Sequence, residues 1–281
     1  MLDKKIGFIG AGNMAEAIIG AIIQSKICTP SLISVSDINQ ERVDFITEKY
    51  GVNPADSNTV LFSESRVIIL AVKPQHLAAA LSQIAAADTY RISERKLIIS
   101  IAAGFPIKKI EADLYAPLDS ASKNLLPIIR VMPNTPALVL AGISGISMNA
   151  HATQEDIVLA RSILESMGQV IEFEEKMLDV VTAVSGSGPA YVFFLIESMI
   201  QAGIALGLTA GQARILTIQT VKGAVKLLEE LDEAPETLRK KVTSPGGTTE
   251  AALNILNQYE VKNHIIQAID AAAKRSTELS R

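Results

Sequence analysis

Along the first part of the chain, short apolar runs alternate with stretches whose apolar residues recur at helical spacing. Residues 5–10 ("KIGFIG") predict a strand, and Asn13 to Ile27 repeats apolar residues with the helical period. Leu32–Asp37 predicts a second strand, and Glu41–Tyr50 an amphipathic helix that Gly51 stops. Arg66–Val72 and Lys96–Ala102 are continuous apolar runs. Runs of this length, spaced by helices, predict a parallel sheet covered on both faces. "IIRVMPN" and "GISGISMN" supply later strands, and Gly168–Phe173 the last. From about Glu175 the strand pattern gives way to helical periodicity over Lys176–Val184, Pro189–Leu206, Thr209–Leu231, and from Thr249 to the C-terminus. Pro189 suits a first helical turn, and Thr209 stands where a helix N-cap belongs. The expected organisation is an α/β domain over residues 1–174 and an all-α domain over residues 175–281.

Composition narrows the class. The 281 residues are 48% hydrophobic and 20% charged, enough for a sizeable core and unlike a disordered chain. Lys and Arg number 26 against 30 Asp and Glu, so the basic surplus of a nucleic-acid binder is missing. Without Trp and with 4% aromatics, base-stacking platforms are not expected either. The lone cysteine, Cys28, cannot form an intrachain disulfide, which fits a reducing cytoplasm. Glycines and Asn13 interrupt the apolar N-terminal stretch, which reads as strand and turn, not a signal peptide. The strongest membrane candidate, Pro189–Leu208, contains Glu197, Ser198 and Gln201. Those interruptions favour burial in a core or subunit interface over insertion in lipid.

Gly10-Ala11-Gly12-Asn13-Met14-Ala15 is a G-x-G-x-x-A fingerprint for dinucleotides. The first glycine allows a tight turn, the second lets backbone approach a pyrophosphate, and the small third residue lets helix and strand pack closely. Here it follows a strand, opens a helix, and leads to a second strand ending in an acid, Asp37. An acid there hydrogen-bonds a ribose 2′-hydroxyl and disfavours a 2′-phosphate. Ser36 and Asn39 could instead donate to a phosphate, with Arg42 near enough to add charge, so NADH is favoured without NADPH being excluded. A P-loop, a G-x-S-x-G elbow and zinc-binding histidine spacing are all missing from the sequence, and no metal is expected.

Four further segments are rich in small residues and proline: "AVKPQ", "RVMPNTPALVLAG", "VSGSGPAYVFF" and "VTSPGGTTEAAL". With the fingerprint, and in this order, they resemble the pyrroline-5-carboxylate reductase family over nearly the whole chain. The last segment is the most specific. The resemblance implies an N-terminal Rossmann dinucleotide-binding domain and an all-α dimerisation domain. It implies reduction of 1-pyrroline-5-carboxylate to L-proline, with reduced NADP or NAD as hydride donor. By position, Ile9, Gly10, Ala11, Gly12, Asn13 and Met14 match the family's pyrophosphate loop. Ser36 and Asp37 match positions near the adenosine ribose, and Asn58 another cofactor contact. Ala71, Val72, Lys73 and Pro74, with Ile101, Ala102 and Ala103, match the nicotinamide side, and Lys241 a cofactor contact from the helical domain. Glu175, Val242, Ser244, Gly247, Thr248 and Thr249 match substrate-binding positions. The departure is Asp37, where many members carry Ser, Thr or Arg and use NADPH.

The chemistry of the residues agrees. A small ring with a carboxylate needs anion donors, and residues 245–249 at a helix start offer backbone N–H groups and two hydroxyls. Thr249 is the expected catalytic donor to the imine nitrogen, the competing reading being a helix cap. A β-hydroxyacid dehydrogenase would carry a lysine early in the helix from Pro189, where none occurs before Lys222. An NAD(P)-sensing protein without enzymatic activity would have no need of the Pro-Gly-Gly-Thr-Thr loop. The apolar helix predicts a homodimer, which the resemblance extends to a decamer in many members, with no nucleic-acid or membrane partner.

Overall fold

In the computed structural model, which describes residues 3–280, the apolar runs pair into one eight-stranded sheet. Its strands are β1 (Ile6–Ile9), β2 (Ile33–Ser36), β3 (Asn53–Pro54), β4 (Val67–Leu70), β5 (Leu97–Ser100), β6 (Ile128–Met132), β7 (Gly142–Met148) and β8 (Gly168–Glu172). They lie in the order β3-β2-β1-β4-β5-β6-β7-β8. Around them fold α1 (Asn13–Gln24), α2 (Gln40–Tyr50), α3 (Asn58–Glu64), α4 (Pro74–Ala85), α5 (Ile107–Tyr115), α6 (Ser120–Asn124) and α7 (Gln154–Leu164). The strands read as unbroken apolar runs because both faces are covered. Phe8, Ile33, Ile69 and Ile99 meet Ile18, Ile22, Ile46 and Ile163 on one face. Ile9, Ile68, Leu70 and Ile98 meet Leu77, Leu81, Ile110 and Leu114 on the other. Burying each such side chain contributes about 1.5–3 kcal/mol.

One expectation needs correcting. The sheet is parallel except at one seam, where β6 and β7 run antiparallel, Val131 opposite Ile146. Residues 133–141 joining them hold only a 3₁₀ turn, Thr135–Val139. That link is too short for the helical crossover a parallel pair requires, so the chain reverses. From β7 to β8 the chain passes through α7, and that pair is parallel. Their junction is tight. Gly168 has φ +145°, and a Cβ on it would lie 1.8 Å from the Gly142 carbonyl oxygen.

The second half is helical as the periodicity predicts, with finer breaks. A 3₁₀ turn (Glu175–Met177), α8 (Leu178–Val181) and a π-turn (Thr182–Gly186) lead into α9 (Gly188–Ala205). α10 (Ala210–Leu231), α11 (Pro235–Lys241), α12 (Thr248–Gln258) and α13 (Val261–Ser280) follow. Thr209 caps α10, its side chain accepting from Gln212 N–H in a reciprocal capping box. The single helix expected from Thr249 onward is two, because Glu260 adopts a left-handed φ of 49° between α12 and α13. Neither Gly nor Pro marks that break, so periodicity alone ran through it.

By compactness, one unit runs to Gly186 and takes in the chain again from Ala272; the other is Ser187–Ala271. In the second unit Gly203 of α9 lies against Ala213 of α10, where a Cβ on Gly203 would stand 3.1 Å from the Ala213 Cβ. The stretch Glu175–Ala205 is long and apolar enough to cross a membrane by length and composition. Burial within the chain's own core, one of the expected homes for this helix, does not occur: α9 has no buried residue, and Phe193 and Phe194 are 64% and 72% exposed.

Candidate functional site

The carboxyl ends of β1, β2, β4 and β5 converge on the fingerprint loop, where an open α/β sheet binds ligands. Gly10 turns the chain with φ +107°, and its N–H donates to the Ser36 carbonyl at 2.7 Å. A Cβ there would stand 2.7 Å from the Ala71 backbone, so only glycine fits. Gly12, the N-cap of α1, is the opposite case: nothing lies within 4 Å of where its Cβ would be. That open space, beside first-turn N–H groups of Asn13 and Met14 that have no acceptor within the helix, fits a pyrophosphate. Ala15 is fully buried, so the small third fingerprint position is where helix and sheet touch.

The residues at the end of β2 bind one another. Asp37 Oδ2 accepts from Ala11 N–H at 2.6 Å, and Oδ1 from Asn39 N–H at 2.9 Å. Arg42 Nε donates to the Ala11 carbonyl at 3.0 Å, so one loop residue is held from both sides. The Arg42 and Lys49 side chains each meet Glu16 at 2.9 Å. Burial works to raise the Glu16 carboxyl, but hydrogen bonds from Arg42 and Lys49 outweigh it and hold the group below its usual range. The buried Ser36 hydroxyl donates to Asn58 Oδ1 at 2.7 Å, bringing together two residues predicted as separate cofactor contacts.

On the side of β4 and β5, Ala71 and Val72 are half-buried, and exposed Lys73 precedes Pro74 at the start of α4. Ile101 and Ala103 are half-buried and Ala102 buried after β5. Glu175 Oε1 accepts from the N–H of Ile107, at the start of α5, at 2.7 Å and from Arg130 at 3.2 Å. Arg130, buried in β6, also faces Asp179 at 3.9 Å. Asp179 in turn accepts from Ser276, Thr277 and Ser280 near the end of α13. This network escaped sequence reasoning, although a single arginine inside the apolar strand run "IIRVM" was its signal.

In the other unit the "SPGG" loop turns through Gly246 at φ +72° into α12. Its donors are fewer than the sequence suggested. Gly246 N–H is spent on Glu250 Oε2 at 2.7 Å, and Gly247 N–H on the Ser244 carbonyl at 3.0 Å. The N–H groups of Thr248 and Thr249 remain, pointing out of the helix start. Gly247 is the N-cap, so Thr249 lies inside the first turn, half-buried, and does not cap the helix. Val242 and Ser244 are exposed at the same loop, and Lys241 pairs with Glu233 at 2.6 Å.

Comparison with known proteins now bears on this arrangement. A family model described as pyrroline-5-carboxylate reductase dimerisation matches residues 175–279. One described as NADP oxidoreductase coenzyme F420-dependent matches residues 5–104. Pyrroline-5-carboxylate reductase 2 of Bacillus subtilis is 40% identical over 98% of this chain and 95% of its own. Among solved structures, Plasmodium falciparum pyrroline carboxylate reductase with NADP bound matches over 100% of both chains, with TM-score 0.88 and 31% identity. The Coxiella burnetii pyrroline-5-carboxylate reductase matches over 100% of both chains, with TM-score 0.85 and 36% identity.

Proposed function

The chain belongs to the pyrroline-5-carboxylate reductase family, and from that membership we propose that it reduces 1-pyrroline-5-carboxylate to L-proline with NADH or NADPH. The observation that carries the nucleotide half is the contrast between Gly10, where a side chain cannot enter, and Gly12, which leaves open space at a helix start. Ile9 to Met14 would hold the pyrophosphate. Ser36, Asp37 and Asn58 would line the adenosine side, and residues 71–74 and 101–103 the nicotinamide side. When bound, the reduced nucleotide supplies the hydride.

The remaining chemistry falls to the chain's own residues. Backbone N–H groups of Thr248 and Thr249 hold the substrate carboxylate, with Val242, Ser244 and Gly247 shaping the loop. Thr249 Oγ1 donates a hydrogen bond to the ring nitrogen, stabilising the amine as the C=N bond is reduced, and water is the ultimate proton source. Glu175 serves by bracing Ile107 and Arg130. Lys241 enters nucleotide binding by exchanging its Glu233 partner.

Residues 1–174 carry the nucleotide, and residues 175–281 the substrate loop and the surface for self-association. The working form is a cytoplasmic homo-oligomer, a dimer at least and a decamer as the larger assembly, with the exposed apolar helix α9 supporting the contact. Oxidation of NADH and of NADPH is followed with pyrroline-5-carboxylate at neutral pH, and proline is identified as the product. Nucleotide oxidation dependent on the imine is expected; its failure with both nucleotides would overturn the reading.

A further inference from the structure

The cluster at the end of β2 contains more charge than loop-holding needs. Asp37, Glu16, Arg42 and Lys49 form a balanced set, two acids against two bases, at the edge of the fingerprint loop. A nucleotide with a plain ribose brings a neutral diol to this region, whereas a 2′-phosphate brings up to two negative charges. Binding the latter calls for an arginine fork with free, parallel N–H groups. Arg42 presents only part of one: the Nε/Nη2 edge of its guanidinium is committed, Nε to the Ala11 carbonyl at 3.0 Å and Nη2 to Glu16 at 2.9 Å, and its Cζ stands over the Phe45 ring at 5.0 Å. Lys49 is drawn to the other oxygen of the same carboxylate. The Ser36 hydroxyl is committed to Asn58.

We propose that Glu16 sets the cofactor preference of this chain, by holding Arg42 on the phosphate loop and away from the place a ribose 2′-phosphate would take. Glu16 is a positioning residue acting through Arg42. Asp37 repels the phosphate directly, while Glu16 withholds the cations that would otherwise compensate. The result is a preference for NADH that depends on two acids, of which the sequence pattern shows only Asp37 as a selectivity residue. The inference rests on the nucleotide site proposed above.

Affinities for NADH and NADPH are measured by calorimetric titration of the intact protein, with kcat/KM for both alongside. Glu16→Gln keeps the side-chain shape but removes the charge, which weakens its hold on Arg42 and Lys49. The ratio of NADPH to NADH affinity is expected to rise about tenfold or more in this variant, and the double variant Glu16→Gln/Arg42→Ala to lose that gain. Arg42→Ala alone, which does not require Glu16→Gln to fold, is expected to weaken both nucleotides alike because the contacts it removes, to Ala11, Glu16 and Phe45, brace the loop that both nucleotides share. A Glu16→Gln ratio within about twofold of the unaltered protein overturns the inference, as does an Arg42→Ala loss confined to NADPH. If the unaltered protein binds neither nucleotide, the nucleotide site itself is wrong and this inference falls with it. Binding with an unmoved ratio defeats the inference alone.

Discussion

Single residues carry the sharpest consequences in this molecule. Gly168 has backbone angles reserved for glycine, and a methyl there would enter the Gly142 carbonyl. Gly168→Ala should therefore cost at least about 1–3 kcal/mol from backbone strain alone, read as a lower urea midpoint at unchanged slope. Thr249 acts on a reacting atom in the proposed mechanism. Thr249→Val should lower kcat about 100-fold or more while Thr249→Ser retains most activity, and a change confined to KM would remove that role. Lys96 lies buried in the first unit, donating to the Ser63 carbonyl at 2.9 Å and to the Ser65 carbonyl. Burial lowers its pKa to about 8. Between that value and about 10.4 the unfolded chain binds the extra proton, so stability rises with pH across this window. Below it both states are protonated, and the Lys96 contribution is flat. Urea midpoints from pH 7.5 to 10 should climb relative to a Lys96→Met variant, and parallel curves would contradict this.

At the scale of elements, the strands and the long helices were legible because each satisfies its own local pattern. β1, β2, β4 and β5 lie within the apolar runs, and Thr209 opens α10 and Gly51 ends α2 where the residue types said they would. What periodicity could not supply was direction and partnership. The reversal at β6 and β7 follows from a loop too short to cross over. The final turns of α13 are held by Asp179, far away in sequence, through three hydroxyls. Asp179→Asn weakens those charge-assisted bonds and should loosen the last turns of α13. Faster amide exchange there, with the sheet unaffected, is the expected result; unchanged exchange would mean that apolar packing alone holds the helix end.

For the whole molecule, the outstanding feature is an apolar helix that its own chain leaves largely exposed. α9 exposes Phe193, Phe194 and Leu195 as the isolated chain folds, which a stable monomer would not tolerate. Sedimentation should find a homo-oligomer, and Phe194→Glu should weaken association by about 100-fold or more. A stable, folded monomer of the unaltered chain would refute this. The sequence by itself determined the α/β and helical halves, the phosphate loop and the family, because these depend on residue type and spacing within one short stretch. Only the tertiary structure decided what the charged residues near the loop are doing. Arg42 read along the chain is a free cation beside a phosphate site, whereas in the fold it is tied to Ala11 and Glu16. Gly246 read along the chain is an anion donor, but its N–H is spent on Glu250. Hydrogen bonds saturate, and which partner a donor takes is settled by distances that only folding sets.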